Sequence, residues 1–291
     1  MNQNKSWKIA AIIIFSIFSI FCIIPFIGVI SVSFSEGTDL IKNGYSLYPR
    51  EFSTEAYQYI FAVPEQILNA YKNSIFVTVV GTFISVFVLS MAAFVLARPD
   101  YKFKRFLGLF FFFPMLFNGG MVSDYVWNTQ FLNLKDNVLV LVLPMVVNVW
   151  YLFLLRTFMQ KTPFSLIECA KLEGANEFMI YFKIALPLAK SGIATITLFN
   201  VLMYWNDWWM CLLYITDQSK ITLQYYLYRI MANISEVTSN DSMFAEQSLA
   251  NVPGQTIRMA MCVLAVAPII IVLPFFQKYF VKGIAVGAVK E

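Results

Sequence analysis

Glu168-Cys169-Ala170-Lys171-Leu172-Glu173-Gly174-Ala175, followed by Phe182, Ile184 and Leu186-Pro187, is a polar, helix-forming stretch set between two long apolar runs. Its setting decides the fold. The chain is 59% hydrophobic and 13% charged, where a soluble domain carries roughly 25% charged residues. One polytopic membrane domain accounts for that apolar excess. The polar stretch then reads as a handle outside the bilayer, by which something else moves a chain that has no catalytic apparatus of its own.

A bilayer-spanning helix needs about 20 mostly apolar residues. Six segments qualify: Ile9–Ser33, Ser74–Ala97, Phe106–Val126, Val138–Phe158, Leu188–Ile215 and Ile257–Phe280. The expected class is therefore all-α, a polytopic membrane protein with six transmembrane helices. Asn118-Gly119-Gly120 interrupts the third segment. The first is too long for a signal peptide and lacks a small-x-small cleavage site after it, so it is expected as an uncleaved span.

Lys and Arg placement sets the orientation. One set of flanks holds Lys5, Lys8, Arg98, Lys102, Lys104, Arg105, Arg156, Lys161, Lys171, Lys183, Lys190, Lys278, Lys282 and Lys290; the other holds half as many. Both termini are expected on the cytoplasmic side, which agrees with an even number of spans. The outer segments, about 34–73 and 216–256, are long and carry scattered tyrosines. Ile221–Ile230, with Tyr225, Tyr226 and Tyr228, reads as a short interfacial helix.

Several chemistries are excluded or disfavoured. There is no histidine, which removes His bases, His triads and His metal ligands. The four cysteines show no metal-ligand spacing and read as small packing residues. A net charge of +4 does not suggest nucleic acid. There is no Gly-x-x-x-x-Gly-Lys-Ser/Thr, so the chain is not expected to bind ATP by a P-loop.

The loop at about 160–187 predicts two short helices. Thr162-Pro163 fits an N-cap followed by Pro at the first helical position; Ser165-x-x-Glu168 is an alternative capping box. Gly174 fits the position just past the helix end, and Asn176 can cap the second helix. Phe178, Phe182 and Ala185 follow helical spacing and predict one apolar face.

These residues carry a resemblance. Glu168, Ala170, Gly174, Ala175, Phe182, Ile184, Leu186 and Pro187 resemble the coupling motif of ATP-binding-cassette importer permeases: Glu-Ala-Ala, three positions, Gly, then about nine residues to Ile-x-Leu-Pro. The chain departs from it at Cys169, usually Ala, and at Glu173, usually Asp. Trp205-Asn206-Asp207-Trp208 resembles an element of the carbohydrate-importing branch. The start Val32-Ser33-Phe34-Ser35 with Tyr57-Gln58-Tyr59-Ile60-Phe61, and the ending from Leu273-Pro274 to Gly287-Ala288-Val289-Lys290, resemble that branch as well. The chain looks like the LplC/YtcP-type permeases, related to the MalG subunit of the maltose importer.

The resemblance implies a type I importer permease (MetI-like) fold over 1–291 as a single domain. It implies a second, non-identical permease, two copies of a cytoplasmic ATPase holding ATP and Mg, and an extracytoplasmic solute-binding protein. This chain itself would bind no cofactor. Glu168, Ala170, Lys171, Glu173, Gly174, Ala175, Phe182 and Pro187 would form the contact with the ATPase, and the tail Gly283–Glu291 is expected to touch it too. Substrates of that branch are oligosaccharides and polysaccharide fragments.

Residues of the substrate pathway are expected in the spans. Asn200, Tyr204, Asp207 and Trp208 fall at i, i+4, i+7 and i+8, near one helical face. Ionisable groups inside a span usually face a cavity or another helix. Aromatic rings with hydrogen-bonding groups suit a sugar. Asn206 and Asn148 are further candidates. The competing reading is an ion-coupled secondary transporter, which would need coupling-ion sites and repeated halves.

Overall fold

The computed structural model describes residues 3–239 and 254–288. In chain order the helices are α1 (Gln3–Ser33), α2 (Gly37–Asn43), α3 (Glu55–Ile60), α4 (Pro64–Ala97), α5 (Lys104–Leu116), α6 (Gly120–Val126) and α7 (Val149–Met159). Then come α8 (Phe164–Leu172), α9 (Glu177–Ile180), α10 (Leu186–Leu188), α11 (Lys190–Trp205), α12 (Trp209–Tyr214), α13 (Leu223–Ser239) and α14 (Gly254–Ala288). The chain divides into two compact units, Met1–Ile67 with Leu227–Pro268 and Leu68–Tyr226 with Ile269–Glu291.

Among the described residues three helices are long and apolar enough to cross a membrane: Ala11–Ser33, Pro64–Ala97 and Gly254–Phe276. Three bent pairs raise the number to six if each counts as one span. The most apolar window of α1 is uncovered by the rest of the protein. A helix apolar on every face and left uncovered requires lipid as its solvent. In the first unit the chain after α1 folds back. Phe34 stacks on Phe52 and Tyr57 with ring centroids 5.5 and 4.8 Å apart, and Ser33 Oγ lies 2.9 Å from the Tyr57 hydroxyl.

The spans differ from the expected uninterrupted segments. The second begins at Pro64 rather than Ser74, because proline fits the first turn of a helix and the polar residues after it continue the same spiral. The third bends by 111° between α5 and α6. There Gly120 adopts φ +83° and donates its N–H to Asn118 Oδ1 at 2.7 Å. The fourth bends by 50°, with two short 3-10 turns, Val138–Leu141 and Leu143–Met145, before α7. The fifth bends by 81° at Ala189 and breaks again between Trp205 and Trp209. The expected interfacial helix is longer than its sequence signal, running to Ser239 as α13.

Broken spans leave carbonyls that lipid cannot satisfy. In the second unit two neighbouring helices supply the missing partners. Tyr204 on α11 donates its hydroxyl to the Val142 carbonyl at 3.1 Å. Ser85 Oγ on α4 lies 2.7 Å from the Val146 carbonyl and 2.8 Å from Asn200 Oδ1. The close approach of α4 to α11 requires Gly81: a Cβ there would stand 2.6 Å from Tyr204 Cζ. The same unit's core joins Leu89, Ala93, Phe94 and Leu96 of α4 to Leu152 and Leu155 of α7, Ile167 and Ala170 of α8, and Ile180 and Tyr181.

Candidate functional site: a helical handle and an aromatic cavity

The polar stretch from Glu168 to Ala175 and the residues after it fold as α8, a turn, and α9. α8 ends as expected. Gly174 stands at φ +84°, cheap only for glycine. Its N–H bonds the Lys171 carbonyl at 3.0 Å, and the Ala175 N–H bonds the Ala170 carbonyl at 2.9 Å. This is the paired closure of a Schellman turn, and it explains why Ala170, Gly174 and Ala175 belong together. Asn176 caps α9, accepting from the Met179 N–H at 2.8 Å.

Two local expectations fail. Neither Thr162 nor Ser165 caps α8: Pro163 is the cap residue, with no side-chain cap bond, and Thr162 Oγ1 is buried without a partner. Pro163 takes ψ 128°, so Phe164 becomes the first helical residue. Nor do Phe178 and Phe182 share an inward face with Ala185. The backbone passes from α9 into a π turn at Tyr181–Ala185. Ile180, Tyr181 and Ala185 are buried instead, while Phe178 and Phe182 are 65% and 52% exposed.

The pair of helices therefore presents an apolar outer surface. Leu172, at 89%, is exposed like Phe178 and Phe182, and Glu168, Glu173 and Pro187 are exposed as well. Ala170 faces inward, 8% exposed. Ala175 is half-buried against the core.

A charge cluster joins this handle to the end of α4. Arg98 is only 6% exposed. Its guanidinium donates to both Asp100 carboxylate oxygens, at 2.8 and 2.7 Å, and to Glu177 Oε2 at 2.8 Å. Lys171 Nζ lies 2.9 Å from Asp100 Oδ2 and 3.2 Å from Glu177 Oε1. The Arg98 guanidinium, and next the Lys171 ammonium, hold the Asp100 carboxyl well below the usual carboxylate range. The hydrogen bond to Asp100 pushes Lys171 up. Of this cluster only Lys171 is expected from sequence as a site residue. Arg98 was legible as one flanking cation, and its partners become visible only through tertiary packing.

The expected pathway residues do not share one helical face, because α11 ends at Trp205. Asn200 is fully buried, donating to the Ile196 carbonyl at 2.9 Å beside Ser85; Tyr204 is buried against Gly81. Asn148 caps α7, accepting from the Tyr151 N–H at 3.1 Å. Asn206 is exposed and donates to the Leu202 carbonyl at 2.9 Å. Asp207 and Trp208 lie in the break, with Asp207 Oδ1 3.5 Å from the Met210 N–H and Trp208 edge-on to Trp209.

A cavity of about 710 Å³ opens next to that break. Asn118, Asp124, Trp127, Asn128, Trp209 and Tyr214 help to line it. Trp127 is 56% and Trp209 43% exposed. Asn128 is buried and donates to the Asp124 carbonyl at 2.9 Å and the Tyr214 hydroxyl at 3.2 Å. Indole faces beside a carboxylate and amides can stack on a sugar ring and hydrogen-bond its hydroxyls. The signal available in sequence was Asn118-Gly119-Gly120, whose break places α6 at the cavity.

No protein-family model matches the chain. It is 39% identical over 273 residues to the polygalacturonan/rhamnogalacturonan transport system permease protein YtcP of Bacillus subtilis, covering 94% of each chain. It is 37% identical over 268 residues to the protein LplC of the same organism, covering 92% of this chain and 89% of that one. The crystal structure of a bacterial ABC transporter involved in the import of the acidic polysaccharide alginate contains a chain that superposes with a TM-score of 0.78 at 28% identity, covering 96% of this chain and 98% of that one. With the membrane helices and the handle between them, these similarities settle the lineage: the chain belongs to the multi-pass sugar-transport permeases of the ATP-binding-cassette importers.

Proposed function

We propose that this chain is a permease subunit of an ATP-driven importer of oligosaccharides or polysaccharide fragments. A partner ATPase, which holds the ATP and Mg, docks on α8 and α9 and drives alternating access. The single observation that carries the reading is the exposure of the apolar side chains Leu172, Phe178 and Phe182 on two helices joined by the Gly174 turn, with Glu168 one turn before Leu172 on α8. Apolar aromatic anchors with a carboxylate at their edge suit a protein partner, the carboxylate forming charge-assisted contacts. This chain supplies no ATP site; its part is to be moved and to open a path.

The assembly in this reading contains a second, non-identical permease, two ATPase copies and an extracytoplasmic solute-binding protein, with both termini of this chain in the cytoplasm. The cavity at Trp127 and Trp209 offers stacking and hydrogen-bonding groups to a glycan in transit. Relatives named for polygalacturonan, rhamnogalacturonan and alginate make uronic-acid oligomers the first candidates. The expected tail contact at Gly283–Glu291 concerns side chains outside the described residues.

The test is affinity purification of the tagged chain from its native membrane, followed by reconstitution into vesicles. A P-loop ATPase and a second permease should accompany it, and uptake of galacturonic acid oligomers should require ATP. A chain that purifies alone and transports on an ion gradient would refute the reading.

A further inference from the structure

The handle is tied to α4 by more than apolar contact. Lys171 on α8 and Glu177 on α9 stand on opposite sides of the Gly174 turn. Both reach the Arg98–Asp100 pair that follows the last turn of α4. Exposed ion pairs contribute little, and Glu177 is itself 57% exposed at the side chain. Arg98 is different: its side chain is 7% exposed, and a buried guanidinium persists only when its donors are matched. Beneath it, Ser90 Oγ lies 2.6 Å from the Tyr181 hydroxyl, and the apolar core joins α4 to α8 and to the π turn. Both short helices are thus gripped by one end of one long helix.

α4 is continuous from Pro64 to Ala97, with no proline past its first residue. At about 1.5 Å per residue, Ser85 lies roughly 20 Å and Gly81 roughly 25 Å along it from Arg98. There α4 touches α11 through Ser85–Asn200 and the bare Cα of Gly81 under the Tyr204 ring. The same two contacts hold the carbonyls of the broken fourth span.

Resting on the permease reading above, we infer that Arg98 is a positioning residue, the joint through which the handle moves α4, and that α4 delivers this movement to α11 at Gly81 and Ser85. The ATPase pushes α8 and α9; the charge cluster keeps α4 from lagging behind. Without the joint, the ATPase still docks and hydrolyses, but its stroke reaches the spans only in part.

The experiment measures ATP hydrolysed per solute imported by the reconstituted, fully assembled transporter. The probes are galacturonic acid, alginate and neutral malto-oligosaccharides, and whichever the unaltered complex imports is used. Arg98→Gln should raise the ratio about tenfold while the subunits still co-purify. Glu177→Gln should raise it about threefold. The double variant should be no worse than Arg98→Gln alone, because both changes open one joint. Lys104→Met, a nearby cation outside the cluster, should leave the ratio unchanged. An assembled Arg98→Gln complex with an unaltered ratio, or a double variant whose effects multiply, overturns the joint while leaving the permease reading in place. Should Arg98→Gln fail to assemble, Glu177→Gln decides in the same way. An assembled, ATP-hydrolysing unaltered complex that imports none of the probes overturns the permease reading, and the joint with it.

Discussion

Gly81→Ala adds one methyl group where α4 packs closely against α11. The new Cβ would stand 2.6 Å from Tyr204 Cζ and 2.8 Å from Cε1 and Cε2, about 1 Å inside normal carbon contact. Tyr204 cannot easily retreat: it is 2% exposed and its hydroxyl holds the Val142 carbonyl. Forcing an extra methyl into such a site costs about 1–3 kcal/mol. Replacing glycine by alanine within a helix returns up to about 1 kcal/mol, leaving a net loss of about 0–2 kcal/mol when that return is complete, while Gly28→Ala keeps the return without the clash. Gly28, on α1, is the internal reference, since a Cβ there meets nothing within 4 Å; Gly28→Ala should be neutral or slightly stabilising. The assay is thermal unfolding of the purified, lipid-supplemented chain, comparing the two variants. Gly81→Ala should melt several degrees below Gly28→Ala, and the deficit should shrink when Tyr204→Leu makes room. Equal melting of the two alanine variants would refute the close α4–α11 contact, and with it the far end of the proposed transmission.

Gly174→Pro should abolish ATP-driven uptake without preventing membrane insertion, because proline cannot reach φ +84° and lacks the N–H that bonds Lys171; uptake at the unaltered rate would remove the lever. Asn176→Ala should cost about 0.5–2 kcal/mol of local stability through the lost cap, read as faster hydrogen exchange in α9. The charge cluster should be indifferent to pH across the physiological range. Asp100 is depressed below its ordinary 3.8, so its contribution is complete above that value and is lost as pH falls through its folded value. Lys171 is raised above its ordinary 10.5, so its share is complete below that and is lost as pH rises through its folded value. The melting difference between the unaltered chain and Asp100→Asn should therefore stay flat from about pH 5 to pH 9; a change inside that window would count against the ion pairing.

The membrane architecture was legible because lipid imposes a simple rule on composition. From Ala11 to Ser33 α1 is apolar and uncovered, and over that length a bilayer is the solvent such a helix requires. The breaks inside the spans were much less legible. Asn118-Gly119-Gly120 announced one of them, since glycine and asparagine mark turns. The bends before α7 and after Trp205 carry, respectively, Pro144 with Asn148 and Asn206-Asp207, turn residues inside long apolar runs and weaker signals than a Gly-Gly pair. The bend before α7 depends on donors far away in sequence: Ser85 and Tyr204 stabilise the Val146 and Val142 carbonyls, which a local reading must assume are bonded within their own helix. A helix-period placement of Asn200, Tyr204, Asp207 and Trp208 on one face fails because the period stops at Trp205.

The handle shows a second limit of sequence patterns. Its caps were readable, because Gly174 and Asn176 act on backbone groups within a few residues. Its faces were not. Phe178, Phe182 and Ala185 fit helical spacing, and that spacing assigns them a common buried side. Ile180, Tyr181 and Ala185 enter the core instead, with the backbone passing into a π turn at Tyr181–Ala185, and the phenylalanines stay outside. Apolar residues that pack inside a protein and apolar residues that await a partner are the same residues in a sequence; only the backbone path separates them. Here that path leaves Leu172, Phe178 and Phe182 on the outside of a segment whose inner side is already filled and whose end is locked by Arg98. A surface so exposed, on helices so firmly held, suits a part that receives force from another subunit rather than one that merely completes this chain's own core.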